Sequence, residues 1–387
     1  MEILEVSDSS LEKKFIEVNV NLYADDPNYI RPLDQDILEI FDHKKNKLLT
    51  VGKAKRWILK SGLQGYVGRI AAFYHPFYTN KGDTLKVGGF GFFDCINDQD
   101  AANMLFDTAK KWLGEMGAEA MDGPINFGER DKWWGLLIEG FNPPLYGMNY
   151  NAPYYSELFL QYGFKTFYNQ LCWHLKLDKR LPEKFYNSYQ KFKDNTDIRA
   201  ERVNKDQLDK YARDFASIYN KAWVSHEGNK QISPSKAMHI FKNLKSILDR
   251  DIMWFTYHKN EPIAVWLNIP DLNQIFRHFN GKFNIWLKLK LLWSIYTGKC
   301  TKFVGIVYGI IPEWQGTGID YYMIVEAAKI IQAKRKYHEL ELQWQGDFNP
   351  KMIAISRHLG CSLSRKLATF RYIFDQSKEF KRHPLLN

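Results

Sequence analysis

The chain has 387 residues, 45% of them hydrophobic and 25% charged, and 54 Lys plus Arg against 44 Asp plus Glu give a net charge of +10. That length suits two or three domains with sizeable cores, and the balance excludes a disordered, collagenous or coiled-coil protein. The basic excess favours anionic partners without choosing among nucleotide, nucleic acid and membrane.

The pattern becomes legible at residues 85–94, an apolar stretch with glycines that predicts a buried strand. Asp98 then caps a helix with Ala101, Leu105, Ala109, Trp112 and Met116 at helical spacing, and Gly117 closes it. A strand returns over 118–127. After a Trp- and Gly-rich connection, a short helix over Asn151–Phe164 ends at Gly163 and leads into a strand over 166–177. A charged stretch, Asp178–Asp197, reads as a connector with a short helix. Beyond it come a strand over 198–203, helices over Gln207–Trp223 and Pro234–Leu248, and two strands over 252–258 and 262–269 joined by a turn. Pro234 stands in a first helical turn, where its missing N–H is not needed. A strand over Thr301–Pro312, a helix over Asp320–Lys334, a strand over His338–Trp344, a short helix over Asn349–Gly360 and a last strand over 368–374 complete the chain. Both halves share the order strand, helix, strand, Asn-initiated short helix, glycine, strand, which predicts a two-fold repeat of roughly 180 residues. The expected division is 1–177, a connector at 178–196, and 197–387.

Cys95, Cys172, Cys300 and Cys361 share no CxxC spacing and lie near no His-x-x-x-His pair, so neither a zinc site nor a disulfide framework is expected. The thiols read as free in a reducing compartment. The N-terminus carries acids where a signal peptide needs bases, and no run of ~18 apolar residues occurs. The expectation is a soluble, cytoplasmic protein.

The segment that carries chemistry is Pro312-Glu-Trp-Gln-Gly-Thr-Gly-Ile-Asp320. A strand, a tight glycine turn and a helix start aim successive N–H groups at one point, and the helix adds its positive end. A diphosphate meets that demand. With its flanking elements the segment resembles the GNAT superfamily of acyl-CoA N-acyltransferases, whose pyrophosphate motif is Gln/Arg-x-x-Gly-x-Gly/Ala. Gln315 and Gly318 match it, and Asp320 departs from it. The downstream Asn-x-x-Ala-x-x-x-Tyr-x-x-x-Gly pattern falls on Asn349, Met352, Ser356 and Gly360, with Ser356 in place of the general-acid tyrosine.

The resemblance implies an α/β fold of two GNAT-like domains, each a mixed, mostly antiparallel sheet flanked by helices. It implies acetyl-CoA or another acyl-CoA as co-substrate, no metal, and acyl transfer to a primary amine by direct attack, with acetyl the expected group. Gln315, Gly316, Thr317, Gly318, Ile319, Asp320 and Asn349 would hold the coenzyme, and the backbone from Tyr308 through Ile310 and Ile311 its pantetheine arm. Candidate catalytic groups are Glu341 and Glu227 as bases, Tyr308 as a polar wall and Ser356 on the sulfur, with His226 and His278 as further bases. In the first half, Asp94, Asp98 and Asp100 crowd the corresponding turn, so one coenzyme per chain is expected. Two other readings stay open: a Fem-type transferase using aminoacyl-tRNA, and a non-catalytic acyl-CoA-binding protein. The tandem repeat mimics a dimer and makes a monomer plausible.

One further stretch stands out. From Leu272 to Pro312 there is no acidic residue, while Arg277, Lys282, Lys288, Lys290, Lys299 and Lys302 fall within it. Ile285, Leu289, Leu292 and Tyr296 share one helical face, with Trp286 and Trp293 beside it. The favoured reading packs that face on the core with lysines outward. A membrane-surface contact and an RNA-facing patch are the alternatives.

Overall fold

The computed structural model describes residues 1–62, 64–128, 130–223 and 231–386. The first half contains β1 (Glu2–Glu5), α1 (Ser9–Leu22), α2 (Asp34–Ile40), β2 (Lys53–Ser61), β3 (Gly65–Tyr74), β4 (Val87–Cys95), α3 (Gln99–Glu115), β5 (Ala120–Gly123), β6 (Leu136–Glu139), α4 (Tyr155–Tyr162) and β7 (Lys165–Lys176). After α5 (Glu183–Phe192) the second half runs β8 (Ile198–Arg202), α6 (Leu208–Trp223), α7 (Pro234–Leu244), β9 (Met253–His258), β10 (Glu261–Pro270), α8 (Asn273–Phe276), α9 (Ile285–Tyr296), β11 (Lys302–Ile310), α10 (Ile319–Lys334), β12 (Glu339–Gly346), α11 (Pro350–His358) and β13 (Ser362–Ile373).

Local chemistry sets many of these boundaries. Asp98 Oδ1 accepts the Ala101 N–H at 3.0 Å and starts α3. Gly163 ends α4 at a φ of 105°, where a Cβ would be strained. Lys259 and Asn260 both take positive φ, as a two-residue hairpin between β9 and β10 requires.

All described strands belong to one sheet, ordered β1-β2-β3-β4-β5-β13-β7-β12-β11-β10-β9-β8, with β6 on β13. Each half has the same centre: β4 is parallel to β5, and β11 is parallel to β12. The last strands cross over. β13 comes from the second half yet pairs with β5, and β7 comes from the first yet pairs with β12. β13 and β7 also pair with each other, from Ser362 opposite His174 to Arg371 opposite Lys165. The halves thus complete each other's sheets.

Apolar faces bury the aromatic load. Phe90, Phe93, Phe106, Phe159 and Phe164 form the centre of the first core. Tyr211, Phe215, Phe241, Phe255 and Trp266 belong to the second. Such pairs contribute beyond their buried area.

Asp271, just after β10, is buried and accepts the Asn273 N–H at 3.2 Å. Burial pushes its carboxyl up to about 6, against the opposing pull of Lys302. An unfolded Asp titrates near pH 4, so between roughly pH 4 and 6 the native chain takes up this proton first. Stability falls as pH rises through that window, and the deficit is complete above it. Asp271→Asn keeps an acceptor for Asn273 and should raise stability at pH 8 by on the order of 2–3 kcal/mol. Urea midpoints of wild type and variant at pH 8 check this, and the difference should vanish near pH 4.

Candidate active site

β11 and β12 are in register from Lys302 opposite Glu339 to Gly305 opposite Leu342, and there their pairing ends. Beyond that point the strands splay, which frees the edges that face each other for an extended guest. The gap is a cleft of about 280 Å³. Its lining includes Ile306, Val307 and Tyr308 of β11, Leu342 and Gln345 of β12, and Ile355 and Ser356 of α11. Trp266, Ile324 and Leu359 line both this cleft and a smaller apolar pocket that Leu175, Ala328, Ile331 and Leu340 continue beneath α10. Arg130 and Asp131 of the first half line the cleft too, and the Arg130 carbonyl accepts the Trp344 indole N–H at 3.0 Å.

The glycine turn lies between the end of β11 and α10. The Gln315 side-chain amide bonds back to the Ile310 carbonyl at 3.1 Å. Thr317 Oγ1 donates to the Trp314 carbonyl at 2.8 Å and accepts from Ile319 N–H at 3.3 Å. Gly316 and Gly318 take φ of 75° and 90°. Their N–H groups bond to no described residue. A Cβ on Gly316 would meet open space, so the outer face of the turn is accessible. Free N–H groups, a helix N-terminus and an open approach fit a diphosphate. Lys184 of α5 stands nearby, its Nζ 5.9 Å from the Tyr321 ring centroid.

Asp320 lies in the first turn of α10 with its carboxyl beside the Tyr308 hydroxyl. That hydroxyl is buried and forms no well-made hydrogen bond. Burial, then the neighbouring Asp320 charge, pushes the phenol well above its ordinary value. Burial also raises the Asp320 carboxyl, against hydrogen bonding that favours its charged form. At neutral pH Tyr308 is therefore a protonated donor.

Ser356 is fully buried, with its Oγ 2.8 Å from the Gln345 side-chain amide. Asn349 caps α11 by accepting the Met352 N–H at 3.3 Å. Ile310, Ile311 and Ile319 are buried in the core, so only their backbone is available to a ligand. Glu341 stands apart from the expected base. It is 1% exposed, its Oε1 lies 2.7 Å from Arg365 Nε, and it does not line the cleft. A carboxylate so occupied has no approach to an amine. His278 is exposed just after α8 and is not part of the cleft lining. Glu227 and His226 lie outside the described residues.

No protein-family model matches the chain. Protein YghO of Escherichia coli K12 is 27% identical over 357 residues, which are 90% of this chain and 89% of that one. A bacterial ceramide synthase of Caulobacter vibrioides is 23% identical over 354 residues, 90% of this chain and 91% of that one. A tandem GNAT protein from the clavulanic acid biosynthesis pathway has 9% identity and a TM-score of 0.55, covering 97% of this chain and 99% of its own.

The fold is the tandem GNAT fold. In it the β11–β12 splay has a counterpart between β4 and β5, whose register ends at Gly89 opposite Asp122. There the chain itself fills the gap. Ile125 N–H donates to the Phe90 carbonyl at 2.7 Å, and a Cβ on Gly91 would collide with the Ile125 carbonyl. The expectation that Asp94 crowds a phosphate turn is corrected. Asp94 is buried with Arg69 at 2.6 Å and accepts from Asn19 at 3.0 Å and Tyr23 at 3.1 Å. Asp98 and Asp100 do stand at the start of α3. Among the described residues no group of His, Cys, Asp or Glu could hold a metal ion, and no helix is long and apolar enough to cross a membrane.

Proposed function

We propose that the chain is an N-acyltransferase that moves an acyl group from acyl-CoA to the primary amine of a long-chain lipid. The observation that carries the reading is the splayed β11–β12 cleft with an open, unpartnered glycine turn beside it. The turn takes the diphosphate on the N–H groups of Gly316 and Gly318, and the edge of β11 beyond Gly305 takes the pantetheine arm as an added strand. The apolar pocket past Trp266, Ile324 and Leu359 offers room for an acyl chain longer than acetyl. A lipid acceptor is supported by the likeness to the ceramide synthase, since ceramide is the amide of a fatty acid and a long-chain amino alcohol.

The amine nitrogen bonds the thioester carbonyl carbon and the carbon–sulfur bond breaks. The leaving sulfur takes a proton from the Tyr308 hydroxyl, the amine loses one through the Asp131 carboxylate to solvent, and the Tyr308 phenolate regains a proton from solvent as the products leave. Ser356 is a poor acid, and Tyr308 supplies from the facing strand the phenol that α11 lacks. The products are an amide and free coenzyme A.

The test incubates the protein with acetyl- or palmitoyl-CoA and a sphingoid amine and follows thiol release. Amine-dependent release supports the reading. Tight acyl-CoA binding with no release makes the chain a binder and overturns it. Tyr308→Phe should lower the turnover rate by about 100-fold and leave acyl-CoA affinity within a factor of about two. Because the first-half gap is filled by Ile125, titration calorimetry should find one acyl-CoA site per chain, and two sites of similar affinity would refute that account.

A further inference from the structure

The basic aromatic helix does not pack as its pattern suggests. α9 buries Leu291, Ser294 and Ile295 against the second core. The face expected to be inside is largely outside: Ile285 is 63% exposed, Trp286 75%, Leu289 51%, Trp293 62% and Tyr296 83%. Only Leu292 of the expected set is half-buried. α9 is therefore apolar on two faces, and one of them has no partner within the chain.

At about 100° per residue, those five exposed side chains fall within an arc of about 100°. Lys288 lies about 60° beyond one edge of the arc and Lys290 about 40° beyond the other. Both are exposed, as are Lys282 and Lys299 at the two ends of the helix, and none of the four is ion-paired with a described residue. No carboxylate occurs from Leu272 to Pro312 to neutralise them. The helix is also firmly held. Asn284 Oδ1 caps its start by accepting the Leu287 N–H at 3.0 Å, and Gly298, at φ 73°, closes its end. Monomeric proteins rarely expose so contiguous an apolar face. An aromatic stripe with tryptophans, bordered on both sides by free lysines, matches the boundary between acyl chains and anionic head groups.

We infer that α9 docks this protein on the surface of an anionic lipid bilayer, with Trp286, Trp293 and Tyr296 in the interface and Lys282, Lys288, Lys290 and Lys299 over the head groups. The charge decides between occupants. A second copy of a chain with net charge +10 would bring its own lysines against these, whereas anionic lipid neutralises them. Nucleic acid would meet the lysines too, but it has no use for an aliphatic stripe of Ile285 and Leu289. The inference stands apart from the acyl-transfer reading, because it needs no turnover.

The experiment is flotation of the full chain with vesicles of phosphatidylglycerol and phosphatidylcholine, and with phosphatidylcholine alone, at 150 mM salt. Binding is expected to the anionic vesicles, weaker to the neutral ones, and reduced at 500 mM salt. Replacing Lys288 and Lys290 together with Gln should weaken partitioning by on the order of 30-fold. Trp286→Ser with Trp293→Ser should abolish it, with the melting temperature unchanged because both side chains are exposed. No vesicle binding by the wild type overturns the inference. So does a concentration-dependent dimer that the tryptophan variant dissolves while vesicles are ignored, or binding of tRNA in place of vesicles that the lysine variant loses. Failure here with acyl-CoA still bound would leave the proposed reaction intact.

Discussion

Gly318→Val should weaken acyl-CoA binding several-hundred-fold or more while most of the fold survives. Gly318 is the residue before α10 and sits at a φ of 90°, where a β-branched side chain is strongly disfavoured. A Cβ there would also lie 3.0 Å from the Cβ and Oγ of Ser188 on α5, so the turn must move, and the N–H groups aimed outward move with it. Losing two or three charge-assisted hydrogen bonds at ~1.5–3 kcal/mol each accounts for the affinity change. The measurement is titration calorimetry beside thermal melting. Gly117→Val is the matched control. Gly117 has a φ of 84° with open space around it, at the end of α3, so it carries similar backbone strain with no ligand nearby. The control should lower the melting temperature and leave affinity alone. Equal acyl-CoA affinity in Gly318→Val and wild type would return the turn to an ordinary loop.

Part of this site was legible because short-range rules govern it. Glycines at positive φ, an Asn cap on α11 and apolar flanking strands are all written within a few residues of one another. The strand, helix, strand order that flanks each parallel pair was legible in both halves, but the parallel pairing itself was not read from it. The exchange of β7 and β13 between halves was not legible, because both strands are apolar on the same period and pairing partners leave no local mark. β1, α1, α2, β2 and β3 lie in the first 84 residues, ahead of the elements that the sequence reading assigned. β5 is only Ala120–Gly123, shorter than its apolar run, because the following residues leave the strand to fill the first-half gap. Tyr308 was readable, by resemblance, as part of the cleft wall, but its burial beside Asp320 was not, because that neighbour lies across a turn.

α9 shows the limit of periodicity most clearly. Its pattern marks an apolar face correctly, but nothing in twelve residues says whether that face meets the core or something outside the chain. The structure decides it by burying Leu291, Ser294 and Ile295 instead. A serine on the buried side and tryptophans on the open side are the signal that could have been weighed.

Glu341→Gln should cost about 3–5 kcal/mol of stability, the usual penalty for breaking a buried ion pair from one side. Glu341 and Arg365 have side chains only 1% and 2% exposed, 2.7 Å apart. Ser364 Oγ donates to the same carboxylate oxygen at 3.0 Å, and Lys302 Nζ lies 3.4 Å from the other. Arg365 also donates to the carbonyls of Asn142 at 3.3 Å and Pro143 at 3.2 Å, so the pair ties β12 and β13 to a loop of the first half. Burial raises the Glu341 carboxyl, but the Arg365 guanidinium and these hydrogen bonds outweigh it and hold the group below its ordinary value. Its stabilisation is therefore present above the unfolded carboxylate range and is lost as pH falls through the depressed native value. The glutamine variant should melt well below wild type at pH 7, and the gap should close in acid. A general base would behave differently. Its loss would spare the melting temperature and flatten the rise of turnover with pH. A Glu341→Gln variant that melts like wild type and loses that rise would restore Glu341 to the chemistry, whereas one that melts early and keeps the pH profile of its folded fraction fixes it as the clasp between the two halves.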